Sequence, residues 1–259
     1  MADMKDGAME NAYGTLASWV YHLDKPIGRS FGDIEFYRDR LAGCTGPVLE
    51  PAAGNGRVLI PLLEAGFDIR GFDASEEMVA YCRSECEARG LPSPVDIARF
   101  ESFDYETRFG AIIIPAGSFQ LITEPRQALA VLERFRGALE PGGRLILDLD
   151  ALACLADTAL AARHWQAGDD LLTLVESRVE TCFQRQTTLS QLRYEHWREG
   201  RLVASEIQLF HLRLWGLLEF ELALRSAGFT EVGVYADYRT DSALEPGASI
   251  VTFEAVAPL

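Results

Sequence analysis

Apolar residues alternate between two rhythms along this chain. Up to about Asp150, short apolar runs alternate with stretches at helical spacing. Val48–Glu50, Phe67–Asp73, Val95–Ala98, Ala111–Ile114 and Arg144–Asp150 read as strands. Between them the spacing predicts helices: one from Val58 to about Ala65, one starting at the N-cap Ser75 and ending before Gly90, and Pro125–Leu139. Pro61 inside the first of these predicts a kink, because proline removes one backbone bond. Upstream, Tyr13–Asp24 and Asp33–Leu41 have helical spacing. Strand–helix alternation predicts a parallel sheet.

The rhythm then changes. An alanine-rich helix is expected over about Ala151–His164, followed by strands at Leu171–Phe183, Thr187–Arg198 and Arg201–Leu214. Glu199-Gly200 is a turn signal. A two-residue turn there sets Arg193 opposite Glu206, Gln191 opposite Gln208 and Leu189 opposite Phe210. The other face then carries Leu192, Tyr194, His196, Val203, Ile207, Leu209, His211 and Arg213. Leu217–Ala227 reads as a helix, and Glu231–Tyr238 with Ser249–Val256 as a closing antiparallel pair. The expected layout is an N-terminal helical lid over 1–40, a main domain over 41–259, and an antiparallel β insertion at 171–214.

The most informative stretch joins the first two strands. Glu50 closes the first strand, Gly54 and Gly56 form a tight turn, and Asp73 closes the second. Turn glycines let a ligand approach the backbone, and a strand-end acid can accept both hydroxyls of a ribose. A dinucleotide fingerprint requires a third glycine where Leu59 stands, and a phosphate loop requires Gly-Lys-Ser/Thr where this chain has Gly56-Arg57-Val58. Glu50 repels phosphate and suits a cation. An adenosine bearing an amino acid and a sulfonium fits both acids.

On Glu50, Gly54, Gly56, Asp73 and the following Ala74-Ser-Glu-Glu-Met78, the chain resembles the class I S-adenosylmethionine-dependent methyltransferases, from about Tyr21 to the C-terminus. Its layout is similar to the small-molecule branch acting on sugar amines and glycine-like amines. The resemblance implies a Rossmann-like α/β fold with a mostly parallel seven-stranded sheet and S-adenosylmethionine as cofactor. It implies that Asp73 binds the ribose, and that Glu50, Ala52, Gly54 and Gly56 form the cofactor turn. Ala74 and Met78 then line the adenine side, Tyr21 serves as a lid, and Arg29 pairs with the cofactor carboxylate. The family places an adenine-binding acid just after the third strand, where this chain has Arg99, which cannot accept a hydrogen bond. That shifts adenine recognition to Phe100 or Glu101. Pro115 and Phe119, after the fourth strand, are expected to face the ammonium and the methyl, with Gln120 alongside. His196 and His211 are the candidate general bases. The insertion is expected to shape the acceptor pocket or a dimer contact.

Composition narrows the partners. Net charge is −15, with 24 basic residues and no Lys/Arg run, which disfavours nucleic acid. Five cysteines without a Cys-x-x-Cys argue against disulfides or zinc, and no metal is expected. No apolar run spans a membrane and no leader pattern opens the chain, so a cytoplasmic protein with a small-molecule acceptor is expected. An exposed hairpin leaves a homodimer open. Transfer of a methyl group to an amine or hydroxyl is the expected activity. A non-catalytic binding protein with the same fold and a nicotinamide oxidoreductase are the competing readings.

Overall fold

The computed structural model describes residues 13–157, 160–240 and 247–259. The polar N-terminal segment Met1–Asn11 lies outside them. Seven strands form one sheet in the order β10-β11-β5-β4-β1-β2-β3. They are β1 (Val48–Pro51), β2 (Ile69–Asp73), β3 (Val95–Ile97), β4 (Phe109–Ile114), β5 (Leu139–Asp150), β10 (Thr230–Ala236) and β11 (Ile250–Val256). β1 pairs in parallel with β2 and β4, and β5 with β4, while β11 runs antiparallel to β5 and β10. This is the Rossmann-like α/β architecture expected from the resemblance.

Helices cover both faces, and strand alternation decides which residue meets which helix. Val48, Ala111, Ile113 and Ile146 pack with α2 (Asp33–Leu41), α3 (Leu59–Glu64) and α4 (Glu76–Ala88). Leu49, Ile112, Ile114, Leu145 and Leu147 pack with α5 (Pro125–Ala138) and α6 (Leu217–Ser226). Burial on both faces explains why the central strands read as unbroken apolar runs. Pro61 does not break α3. The helix starts at Leu59, so Pro61 lies in the first turn, where a missing N–H costs no helical bond.

A second, antiparallel sheet follows β5: β6 (Ala161–Ala167), β7 (Asp170–Cys182), β8 (Thr187–Arg198) and β9 (Arg201–Arg213). Here two expectations are corrected. The helix anticipated over Ala151–His164 is instead a 3-10 turn at Leu152–Ala156 and strand β6, so the insertion begins earlier than residue 171. Local alanine preference yields to pairing, because β6 completes the ladder with β7 from Ala161↔Glu176 to Ala167↔Asp170. The hairpin turn at Glu199-Gly200 forms, with φ of 49° and 71°. A bulge between His196 and Trp197 then shifts the register by one. Arg193 faces Ile207, Gln191 faces Leu209, and Leu189 faces His211. A one-residue slip exchanges the faces of β9. Tyr194 therefore shares its face with Glu206, and Leu192 with Gln208.

That face packs on α1 (Thr15–Asp24) through Leu16, Ala17, Val20, Leu172, Leu174, Leu192 and Tyr194. Gly14 supplies no capping side chain, and Glu206 takes that role across the fold: its carboxylate accepts from Leu16 N at 2.9 Å and Ala17 N at 3.3 Å. The helix is thereby fixed between the insertion and the main sheet.

Candidate cofactor and acceptor site

The site is built on the carboxyl ends of β1, β2, β4 and β5, where open α/β sheets bind ligands. Asp73 at the end of β2 ties two turns together. One oxygen accepts from Gly54 N at 2.9 Å and the other from Ser75 N at 2.8 Å. Ser75 in turn caps α4 by accepting from Met78 N. Burial raises the Asp73 carboxyl against these hydrogen bonds.

The two turn glycines have different jobs. Gly54 has φ 58°, and a Cβ there would meet only Tyr21 Cε1 at 4.0 Å. Its side of the turn is open toward the tyrosine. Gly56 has φ 87°, and a Cβ there would lie 2.7 Å from Cys82 Sγ and 2.9 Å from Ile60 Cδ1. Gly56 therefore allows close packing of the turn on α3 and α4. Leu59 stands where a dinucleotide fold has its third glycine, and space for it comes from Gly71, whose Cβ would lie 2.6 Å from Leu59 Cδ1.

Glu50 is buried, and among the described residues its Oε2 has no hydrogen-bond partner. Burial pushes its carboxyl well above the usual range, opposed by Arg57 and reinforced by Asp33 and Asp73. A buried, unpartnered carboxylate oxygen beside a second raised carboxyl fits a cationic ligand and rejects a phosphate.

α1 closes over this turn. Tyr21 packs edge-on against Tyr13 at 5.6 Å, and Lys25 Nζ lies 4.9 Å from the Tyr21 ring centre. Asn55 Nδ2 donates to Lys25 O at 3.0 Å, and Ser75 Oγ donates to Tyr13 O at 3.1 Å, so both turns latch the helix. Burial raises the Tyr21 hydroxyl, with Arg57, Asp73 and Glu50 all in electrostatic reach. The guanidinium beside the turn is Arg57. It is buried, donating to Asp33 Oδ2 at 2.5 Å and to Arg29 O at 2.7 Å. The Arg29 side chain is exposed and stacks on Phe31 at 5.4 Å, so the residue contributes its carbonyl to the site.

The adenine-side residues divide. Met78 is buried and Ala74 exposed. Phe100 packs edge-on against Phe72 at 6.2 Å and Phe135 at 5.9 Å. Glu101 is exposed and accepts from Gln127 Nε2 at 2.7 Å, which turns it toward α5.

The floor comes from β4 and β5. Pro115 is buried, and after it Ala116 (φ 56°) and Gly117 (φ 71°) turn left-handed. Asp148 holds that turn, accepting from Ala116 N at 3.0 Å, Thr252 Oγ1 at 2.7 Å and the Tyr238 hydroxyl at 3.0 Å. Burial pushes its carboxyl up to about 6 despite those bonds. Phe119, expected to face the methyl, packs in the core. It is fully buried against Phe220 at 5.5 Å and Trp215 at 6.4 Å. Gln120 clamps the end of β5: its Oε1 accepts from Asp150 N at 2.8 Å and its Nε2 donates to Asp150 O at 3.4 Å. The Asp150 carboxylate lies beside Gly117, with Oδ2 3.5 Å from where a Cβ on that glycine would stand.

The two candidate histidines are separated. His196 lies on the α1 face, with Nε2 2.7 Å from Asp170 Oδ1 and the ring edge-on to Trp19 at 5.2 Å. His211 pairs with Leu189 on the opposite face, where burial lowers its pKa and a cavity of about 470 Å³ opens beside Arg213, Cys182 and Thr123. The bulge in the hairpin is the reason they part. Arg57, Lys25, Asp148 and Asp150 were not singled out by sequence reasoning. The available signals were an arginine following the glycine turn and two acids at period two in the apolar run Leu145–Asp150. Among the described residues, no group of three or more His, Cys, Asp or Glu could hold a metal, and no helix is long and apolar enough to cross a membrane.

Comparison with known proteins agrees with this geometry. Residues 48–143 match a methyltransferase domain family. The sugar N-methyltransferase KedS8 from Streptoalloteichus superposes over 100% of this chain and 99% of its own, with a TM-score of 0.77 at 19% identity. An S-adenosylmethionine-dependent methyltransferase from Clostridium acetobutylicum gives 0.76, covering 93% of this chain and 98% of its own at 13% identity. Residues 48–143 thus form a methyltransferase domain, the fold is that of S-adenosylmethionine-dependent methyltransferases, and S-adenosylmethionine is the cofactor of that class. Within the class, it is 34% identical to a glycine/sarcosine N-methyltransferase of Halorhodospira halochloris over 46% of this chain and 45% of that protein. It therefore spans less than half the length of this relative. It is 23% identical to the putative methyltransferase YqeM of Bacillus subtilis over 78% of this chain and 80% of that protein.

Proposed function

We propose that this protein transfers a methyl group from S-adenosylmethionine to the amine of a small molecule. The observation carrying this reading is the buried Glu50 oxygen, unpartnered among the described residues, on the strand that leads into the Gly54 turn, with Asp73 at the adjoining strand end. When bound, the cofactor supplies an electrophilic methyl group on a sulfonium, and in-line displacement demands alignment and exclusion of water. Asp73 would hold the ribose hydroxyls with the lone pairs left over from Gly54 and Ser75. Glu50 and the Gly54 turn would hold the cationic amino-acid portion, and Met78 and Phe100 would flank the adenine. Tyr21 covers the turn and keeps water out.

An amine acceptor is favoured over a hydroxyl. An amine needs only to be neutral, whereas a hydroxyl calls for a base or metal. The two histidines proposed as bases point elsewhere, to Asp170 and to the outer cavity. The names of the relatives, a glycine/sarcosine and a sugar N-methyltransferase, support the same choice. The net charge of −15 speaks against nucleic acid as acceptor, and five free cysteines suit a reducing, cytoplasmic setting. Pairing with a second copy would draw on the outer face of the second sheet, where Val203 and Ile207 are exposed.

Calorimetric titration with S-adenosylmethionine, paired with transfer of a labelled methyl group to small amines, tests the reading. Binding is expected for the native chain and its loss for Asp73→Ala. Equal affinity in the two would remove the assignment of Asp73.

A further inference from the structure

The cofactor turn accounts for Glu50, Asp73 and Arg57, and the floor network for Asp148. One acid at the same strand ends remains. Asp150 is the last residue of β5. Its backbone is fixed from both sides by Gln120. Its carboxylate lies over Gly117 in the loop that follows β4, and among the described residues it makes no hydrogen bond and no ion pair within 4.0 Å. Burial raises its carboxyl, and Lys25 is the charge that opposes the rise. Lys25 in turn sits over the Tyr21 ring, so Asp150 and the cofactor cover share one neighbour. The lysine is a poor permanent partner. Burial and Arg57 lower its pKa, and Arg163 repels it as well.

A half-buried carboxylate without a bound donor, on a rigid strand end facing the cofactor cover, is a receptor for a cation. We propose that Asp150 is the group that receives the acceptor's amine, so that the protein selects small molecules that arrive as ammonium ions and orients their nitrogen. This inference rests on the methyltransferase reading above and adds to it the residue that chooses the acceptor. An arriving ammonium donates to the Asp150 carboxylate and loses one proton to solvent. The freed lone pair then forms the N–C bond as the C–S bond breaks, and sulfur keeps that electron pair. The product amine retains its remaining hydrogens and carries one added methyl group. Asp150 is unchanged at the end.

The test uses the full chain, S-adenosylmethionine with a labelled methyl group, and three amines with their oxygen counterparts: ethanolamine, glucosamine and glycine against ethylene glycol, glucose and glycolate. The native protein is expected to methylate at least one amine and none of the counterparts. Asp150→Asn is expected to raise the KM for that amine by about 10–100-fold, the loss of a charge-assisted hydrogen bond, with kcat much less changed. Cofactor affinity should stay within about twofold, since Asp150 touches none of the cofactor turn, and Asp150→Glu should restore part of the KM. The proposal is overturned if the native chain binds the cofactor yet accepts none of these amines, if an oxygen counterpart is accepted equally, or if Asp150→Asn leaves KM unchanged. Absence of cofactor binding by the native chain would overturn the methyltransferase reading itself, and titration separates that outcome from the others.

Discussion

The Asp73 carboxylate accepts the Gly54 N–H at 2.9 Å, so the acid of one strand end holds the glycine turn of the next. The same carboxylate is the ribose anchor in the proposed function. Asp73→Ala removes both roles. It should weaken S-adenosylmethionine binding by at least about 10–100-fold and reduce stability by about 1–3 kcal/mol, because Gly54 N and Ser75 N lose their acceptor. Asp73→Asn keeps one acceptor oxygen and should regain stability more than affinity. Calorimetry and chemical denaturation on the same variants separate the two effects.

Gly54 and Gly56 should respond differently to alanine. At Gly56 a Cβ would lie 2.7 Å from Cys82 Sγ at φ 87°, so Gly56→Ala should cost about 1–3 kcal/mol of stability. At Gly54 nothing crowds the Cβ more closely than 4.0 Å, so Gly54→Ala should fold with a smaller loss and show its main effect on cofactor affinity. A melting temperature lowered more by Gly54→Ala than by Gly56→Ala would contradict this division.

Cofactor binding should release protons. Burial raises both Glu50 and Asp73, and a cationic ligand beside them stabilises their ionised forms. Affinity should therefore increase with pH until the free-protein carboxyls are ionised. Titration in two buffers of different ionisation enthalpy counts the protons, and Glu50→Gln should lower the count. An unchanged count in that variant would show that Glu50 does not titrate with binding.

Asp148 should impose a pH dependence on stability. Its folded pKa, raised from 3.8 to about 6, exceeds its unfolded value, so the folded state binds the extra proton. Stability from this group is highest below about pH 4, falls as pH rises toward about 6, and stays reduced above that, by roughly 3 kcal/mol at one pKa unit per 1.36 kcal/mol. Asp148→Asn should flatten that part of the profile. Because Asp148 holds Ala116 N, the variant should also loosen the left-handed Ala116-Gly117 turn. Urea unfolding of both proteins at pH 4.5 and pH 7 reads the difference directly.

His196→Ala and His211→Ala should leave kcat/KM within about threefold, since neither ring faces the cofactor turn. His196→Ala should lower the melting temperature, because Trp19 loses its ring contact and Asp170 one partner. Collapse of turnover in either variant, with native stability, would restore a base to the mechanism.

Local pattern made the parallel sheet legible, because strands buried on both faces must be apolar throughout and helices between them must be amphipathic. It also marked Glu50, Gly54 and Asp73, because a tight turn leaves few residue types to choose from. It did not reveal which face of the insertion meets α1. One bulge after His196 reversed that, and a bulge has no signature in period-two alternation. Nor did it reveal Arg57 or Asp150, whose roles depend on partners distant in sequence: Asp33 and the Arg29 carbonyl for one, Gly117 and Lys25 for the other.

By itself the sequence determined the order of strands and helices up to β5, the glycine turn after β1 and the acid that closes β2, since each follows from constraints among neighbours in the chain. Only the tertiary structure decided that Gly56 packs against α3 and α4, that Phe119 belongs to the core, that the two histidines part company, and that the Asp150 carboxylate at the end of β5 has no hydrogen bond or ion pair among the described residues. Those outcomes turn on burial and on electrostatic partners, and both are set by what the folded chain brings alongside.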